Sequence, residues 1–353
     1  MLATEGTGTI AHFSVLYGLA AANYHAGRPR TALEQVKEFL SLAEAQEGSG
    51  PLLMGHRLIG FVQIAIGDYR AAFAHAERAV TLYEPEEHRT LAVQFSADIG
   101  VQALCLWARA LWHRGYPERA SQAADEALHY ARQSVHRQTL AYALVYVGLM
   151  AISARREAEV EALAAETVVV AGEHGFALFS GFGHIFQGWA MARRNPGAPA
   201  IERIRQGLAA TQATGARNYQ PIFLGLLAEA LALTGETEQG LTVLAEALAA
   251  AETSGARGHV AELHRLRGDL LRRRAKSDRD DIEACFRTAL AVAREQGTRG
   301  YELRAATSLA RLWRDQDKRG EARDLLAPVY GCFTEGFDTP DLIEAKLLLN
   351  VLA

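Results

Sequence analysis

Between residues 265 and 274 the chain reads RLRGDLLRRR, five arginines with Asp269 among them. Guanidinium groups so close together can hold a carboxylate or another anion through paired N–H donors, or they can form the solvated end of a helix. The motifs that would place such a cluster in an enzyme are absent from the sequence. No glycine is followed by Lys and then Ser or Thr, as a phosphate-cradling Walker loop requires, and there is no Gly-x-Ser-x-Gly elbow and no His-Glu-x-x-His. Gly-Phe-Gly at 181–183 is a fragment of a dinucleotide fingerprint inside a helical stretch, which reads as packing. Among the 12 histidines, His129 and His136 straddle a helix break, and His259 and His264 are five apart and point to different faces. Metal ligands on one helix face need a spacing of three or four. These readings predict no catalytic residue, no cofactor and no metal.

The bulk properties narrow the partners. A formal charge of −4 offers no general attraction to nucleic acid, whose binding rests on neutralising phosphates. Cys105, Cys285 and Cys332 are unevenly spaced in apolar helical contexts, which fits neither a disulfide framework nor a metal site and points to a reducing, cytoplasmic setting. MLATEGTGTI lacks the basic flank and apolar core of a signal peptide. The longest apolar run, Leu140 to Ile152, falls short of the roughly 18–20 residues that span a bilayer and reads as a buried helix.

The sequence is rich in Ala and Leu, and a repeat runs through it. A turn glycine with a small residue seven before it and alanines five and twelve after it recurs at Gly67 (Gly60, Ala72, Ala79) and Gly115 (Ala108, Ala120, Ala127). Gly27 (Ala20, Ala32) and Gly235 (Ala228, Ala247) fit most of the same frame. Weaker copies are anchored by Gly148, Gly188, Gly268 and Ala310, the first having Arg155 where the turn glycine should stand. The period averages about 40 residues, against about 34 in a standard tetratricopeptide repeat. The spacing predicts an all-α chain: a right-handed α-solenoid of about eight tetratricopeptide-like hairpins in one domain, 1–353. The hairpins fall at about 9–46, 51–83, 98–133, 136–174, 177–214, 217–254, 257–296 and 299–335. A capping helix over 340–352 follows, with Asp338 or Thr339 as its N-cap. No equivalent cap precedes residue 9, so the N-terminus reads as a cut through a longer array. Small residues are needed where the helices of one hairpin cross closely.

In such arrays one side of each first helix lines the inner groove. That rule selects Tyr17, Tyr24, Arg57, Phe61, Arg109, Trp112, Tyr142, Phe182, Trp189, Glu229, Arg265, Asp269, Arg304 and Arg311. Arg272 and Arg273 fall on the same side. Aromatics dominate the N-terminal half and arginines the C-terminal half, which suits an extended peptide with apolar anchors at one end and acidic groups at the other. Core or inter-repeat packing is the competing reading for every one of these residues. The long linker LYEPEEHRTLAVQFSADIG adds a second place to look, where His88, Arg89 and Asp98 either order the loop or present a polar site.

The runs EPEEHR with Asp98 and Gly100-Val101, ALWHRGYPERA, ELHRLRGDLL, EACFRTAL, ELRAATSLARLWRDQ and LLAPVYGCFTEGFDTPDLIEAK resemble a known family region. It is the C-terminal helical-repeat part of large bacterial signalling proteins that join a class III adenylate/guanylate cyclase, or another effector, to a STAND-type predicted ATPase. The resemblance spans nearly the whole chain and is strongest over 55–135 and 260–350. The chain departs from it at Ile99, where proline is common, and at Cys332, where an aromatic is common. Neither the cyclase nor the nucleotide-binding module lies within the 353 residues, so the resemblance implies a regulatory or sensor part and carries over no catalytic residue. The expected function is a non-catalytic interaction module that binds a protein or peptide, with cyclase or ATPase domains as partners in cis and with neither nucleic acid nor membrane as a partner. A small-molecule-sensing solenoid and a structural oligomerisation arm are the alternatives.

Overall fold

The computed structural model describes residues 3–46, 48–88, 97–274 and 277–353, and every regular element among them is a helix. Hairpins form from α1 (Ala3–His25) with α2 (Pro29–Glu44) and from α3 (Gly50–Ile66) with α4 (Tyr69–Leu82). After the short α5 (Pro85–His88) come α6 (Ile99–His113) with α7 (Pro117–Gln133), α8 (Arg137–Ser153) with α9 (Glu157–His174), and α10 (Ala177–Arg194) with α11 (Ala198–Ala213). Next are α12 (Gln220–Leu233) with α13 (Thr237–Ser254), α14 (Val260–Arg273) with α15 (Arg279–Gln296), and α16 (Arg299–Arg314) with α17 (Arg319–Tyr330). The single helix α18 (Pro340–Leu352) lays Leu342, Ala345, Leu348 and Leu352 on the last hairpin. The architecture is a right-handed α-solenoid of tetratricopeptide-like hairpins with a C-terminal cap. Thr339 is the N-cap residue of α18, without a side-chain cap bond.

One device ends most of the first helices. Gly27, Gly67, Gly115 and Gly235 have φ of 74°, 90°, 86° and 87°, a left-handed conformation that costs glycine little. The N–H after each bonds back five residues, as in Asp68 N–H to Gln63 O (2.9 Å) and Glu236 N–H to Leu231 O (2.9 Å). Arg155 makes the same turn at φ 56° and Asp317 at φ 62°, so the hairpin survives loss of the glycine at a cost of roughly 1–2 kcal/mol.

Two kinds of crossing account for the small anchor residues. At Gly188 an added Cβ would meet Ala200 O at 2.7 Å, and at Gly268 it would meet the Phe286 ring at 2.5 Å, both within one hairpin as expected. At Gly60 and Gly148 it would instead meet Leu106 (2.6 Å) and Phe186 (2.8 Å) on the first helix of the next hairpin. The glycine there sets the spacing between repeats, which corrects the expectation of an intra-hairpin seam at those two positions. Gly181 and Gly183 lie in the middle of α10 against Thr211 and Val168, as helix packing requires.

The linker before α6 is internally ordered where it is described; Arg89 lies outside the described residues. Buried His88 accepts the Glu84 N–H at Nδ1 (3.0 Å), so its Nε2 carries a proton toward Ser49 Oγ (2.9 Å). The Asp98 carboxylate accepts the N–H groups of Gly100 (2.9 Å) and Val101 (3.1 Å) and caps α6. A Cβ at residue 100 would stand 2.1 Å from the Tyr83 ring, which explains Asp-x-Gly at this entry.

The superhelix then closes on itself. The turn of the first hairpin meets the loop between the fifth and sixth, with Arg217 N–H donating to His25 O (2.8 Å). The second meets the next loop, where Gly258 N–H donates to Ala65 O (2.9 Å) and Tyr69 OH to Gly258 O (2.6 Å). In the third, Arg114 donates to Gly297 O (2.8 Å), and the Glu335 carboxylate accepts the Glu118 and Arg119 N–H groups that open α7. Arg155 at the fourth turn pairs with Asp341 (3.1 Å) and Glu344 (2.8 Å) of α18. Arg155→Gly should therefore relieve the left-handed strain yet loosen the cap. The expected result is a nearly unchanged melting temperature with faster amide exchange across 340–352, and unchanged exchange there would disprove the tether.

Candidate concave site

Closure divides the inner surface into two parts. In the N-terminal part the aromatic side chains fill the axis of the superhelix. Tyr24 and Tyr219 share a hydroxyl–hydroxyl bond of 2.8 Å, and Arg109 donates to the Tyr219 hydroxyl at 3.4 Å. Arg57 donates to the Tyr17 hydroxyl (2.5 Å). The two guanidiniums lie 5.9 and 5.8 Å from the Phe61 ring, which also meets Tyr146 (5.1 Å) and Tyr142 (6.3 Å) edge-on. Phe182 packs on Tyr219 and Phe223, and Trp112 on Tyr301. Arg57 and Arg109 are only 5 % and 4 % exposed, and Tyr24, Phe61, Trp112 and Phe182 are buried with them. The expected open aromatic groove is thus packed shut. The residues do face inward, but the later hairpins cover Tyr24, Phe61, Trp112 and Phe182, while Tyr17 and Tyr142 stay half-buried.

The C-terminal part holds a cavity of about 280 Å³, walled by the end of α8, by α10, α12, α14 and α16, and by α18. Trp189, Glu229, Arg265, Asp269, Arg304 and Arg311 all line it. Arg273 lines it as well and donates to Ala232 O (3.0 Å), while Arg272 is not among the lining residues and pairs with Asp315 (2.8 Å). The lining arginines are held largely by carboxylates, of which sequence reasoning placed Glu229 and Asp269 in the groove but not Glu157, Glu262, Asp341 or Glu344. Arg193 bridges Glu157 (2.6 Å) and Glu229 (3.2 Å), and Trp189 Nε1 donates to Glu229 (2.7 Å). Arg265 donates to Glu262 (2.8 Å) and Asp269, and Arg311 pairs with Glu344. Arg304 joins Asp341 (2.9 Å), Glu262 (3.3 Å) and the Ser153 carbonyl, with the Trp112 ring 5.3 Å away.

This pairing fixes the electrostatics. Burial alone would raise the Glu262 carboxyl, but Arg265 and Arg304 outweigh it and hold it at about 2. Burial, with the Arg109 charge added, lowers His259 to about 3, so that ring is neutral at physiological pH. Six arginines face five carboxylates around the cavity. The walls therefore favour a ligand carrying both signs of charge over a polyanion.

Of the residues missed, Glu262 had a signal in its place three positions before Arg265 on one helix face. Arg155 had one in occupying a glycine position. Asp341 and Glu344 had none, because they belong to the cap, far along the chain.

Among the described residues there is no group of three or more His, Cys, Asp or Glu side chains placed to hold a metal, and no helix is long and apolar enough to cross a membrane. Fold and site together define a closed tetratricopeptide-like solenoid with one small charged chamber on its concave side. No protein-family model matches the chain. The uncharacterized protein R02095 of Rhizobium meliloti is 27 % identical over 272 residues, covering 77 % of this chain. The chain spans about a quarter of that relative's length, 26 %. Among solved structures, a Rap protein complexed with Competence and Sporulation Factor superposes with a TM-score of 0.61 at 15 % identity, over 80 % of this chain and 74 % of that one. The Rap conjugation gene regulator of plasmid pLS20, in complex with the Phr* peptide, gives 0.55 at 11 % identity over 96 % of both chains. At these identities the likeness is one of fold.

Proposed function

We propose that this chain is a non-catalytic regulatory module whose concave chamber seats a short charged peptide segment. The observation that carries the reading is the chamber itself, where side chains of both charges from the fourth to the eighth hairpins and the cap converge on one space of about 280 Å³. That is slightly below the usual size of small-molecule sites, about 300–1,000 Å³, and has room for the end of a peptide rather than an extended run. The peptide complexes of the fold's solved neighbours support the same ligand class. The resemblance to cyclase and STAND ATPase proteins supports a place beside such effector domains, in the cytoplasm, with ligand occupancy as the signal passed on. The chamber's size also favours a second reading, a small zwitterionic metabolite.

A peptide array with free and amidated C-termini, read by fluorescence polarisation, tests the proposal against the metabolite reading. Short peptides with a free terminus should bind, amidation should weaken them, and Arg311→Glu should cost about tenfold in affinity. The same variant should lower the melting temperature only slightly, because the ion pair it removes is partly exposed and contributes about 0–1 kcal/mol, and the repulsion it adds against Glu344 is screened to a similar size and offset by Arg155. Stabilisation by metabolites alone, with no peptide bound, would overturn the peptide reading.

A further inference from the structure

A second, much smaller site lies beside Arg109. It is bordered by Tyr24, Arg109, Asn218, Tyr219 and His259, with Ile64 among the apolar groups of its wall, and the centre of a water-sized sphere can range over about 10 Å³ within it, which leaves room for a single small ion and little more. Five separate parts of the solenoid meet there: the end of α1, the end of α3, the middle of α6, the loop before α12 and the start of α14.

Its chemistry is that of an anion cradle. Arg109 is 4 % exposed; among the described residues its one hydrogen bond goes to a tyrosine hydroxyl, and its other close partners are the faces of Phe61, Tyr146 and Tyr219. Arg57, on the same Phe61 ring, is also buried against tyrosines, so two cationic side chains share one part of the interior. Buried charges are ordinarily paired, and ring faces compensate a guanidinium only in part. Asn218 is 8 % exposed, and both its side-chain nitrogen and its oxygen lack a partner among the described residues. It is fixed in place because the Arg217 and Asn218 N–H groups both donate to His25 O (2.8 and 3.3 Å). Tyr24 and Tyr219 have two hydroxyl protons and only one bond between them, which leaves one proton to donate. A water molecule would satisfy the amide but leave the charge. A carboxylate-bearing ligand needs more room than one sphere.

We propose that this cavity binds a single monatomic anion of halide size, chloride in the cell. The ion takes donors from the Arg109 guanidinium, the Asn218 amide and a tyrosine hydroxyl, and so ties the third hairpin to the loop before the sixth and, through the Tyr24–Tyr219 pair, to the first.

The test is thermal unfolding of the full chain at constant ionic strength in sodium chloride, bromide or gluconate, the last being too large to enter. Chloride and bromide should raise the melting temperature over gluconate by about 2–4 °C in a saturable way. Asn218→Asp places a carboxylate beside Arg109, so it should keep its stability in gluconate and lose the halide response. A crystal grown in bromide should show an anomalous peak between the Arg109 guanidinium and the residue-218 amide. Equal melting in all three salts, or a bromide-free cavity, would overturn the proposal. So would a halide response that persists in the Asn218→Asp protein, since that places the ion elsewhere. None of these outcomes depends on whether the outer chamber takes a peptide.

Discussion

Gly258→Val is expected to open the superhelix. A Cβ at residue 258 would lie 2.2 Å from the Ile64 carbonyl oxygen, a backbone atom that no side-chain rotation can move away. The loop must then withdraw and lose the Gly258 N–H bond to Ala65 O and the Tyr69 hydroxyl bond to Gly258 O. Two hydrogen bonds at about 1 kcal/mol each and about 1–3 kcal/mol of overpacking give a loss of about 3–5 kcal/mol. Because the contact joins two layers of the solenoid, the loss should appear in shape as well as in stability. Small-angle scattering should show a larger radius of gyration while the helical circular dichroism persists. Gly320→Ala is the control, since nothing stands within 4 Å of its Cβ and alanine is the better helix former by about 0.8–1 kcal/mol. A Gly258→Val protein with unchanged dimensions and a loss below about 1 kcal/mol would show that the layers do not depend on this contact.

That layered closure also explains which parts of the site were readable from the sequence. A hairpin is local: its glycine, its small crossing residues and its Asp98-type cap lie within a few tens of residues, so periodicity exposes them. Even Arg155, standing at a glycine position, could be read as a degenerate turn, and its φ of 56° agrees. Superhelical pitch is not local. It follows from contacts such as Gly258 with Ile64 and Arg217 with His25, which no repeat frame contains. The aromatic half of the groove was therefore readable as inward-facing, but its burial was not. Tyr219, which bonds both Tyr24 and Arg109, sits in the non-periodic stretch before α12. The charged half had the opposite fate. Its arginines stood out in RLRGDLLRRR, but Asp341 and Glu344, which partner Arg304 and Arg311, reach them only because α18 caps the end of the solenoid.

Arg304→Met is expected to be the most damaging single change in the chamber. The Arg304 side chain is 9 % exposed and is shared by Glu262, Asp341 and the Ser153 carbonyl. Methionine keeps much of the packing against Trp112 and Tyr301 but leaves two poorly exposed carboxylates short of a partner, a change that typically costs about 3–5 kcal/mol. The pH dependence separates this cause from a simple packing loss. In the native chain Glu262 is held at about 2, below the ordinary value of about 4.3, so the stability it contributes is present above about 4.3 and is lost as pH falls toward 2. With Arg304 gone, burial is opposed only by Arg265 and, more weakly, Arg155, so the carboxyl moves up and that contribution shrinks. The difference in unfolding free energy between the two proteins should then be largest near pH 7 and narrow steadily between about pH 4.5 and 2. Adding Glu262→Gln to Arg304→Met should recover part of the loss at pH 7, because the stranded charge is removed along with its partner. A deficit that is flat with pH and additive in the double variant would mean that Arg304 acts through its aromatic contacts and the Ser153 carbonyl, and that the carboxylate network contributes nothing to the walls of the chamber.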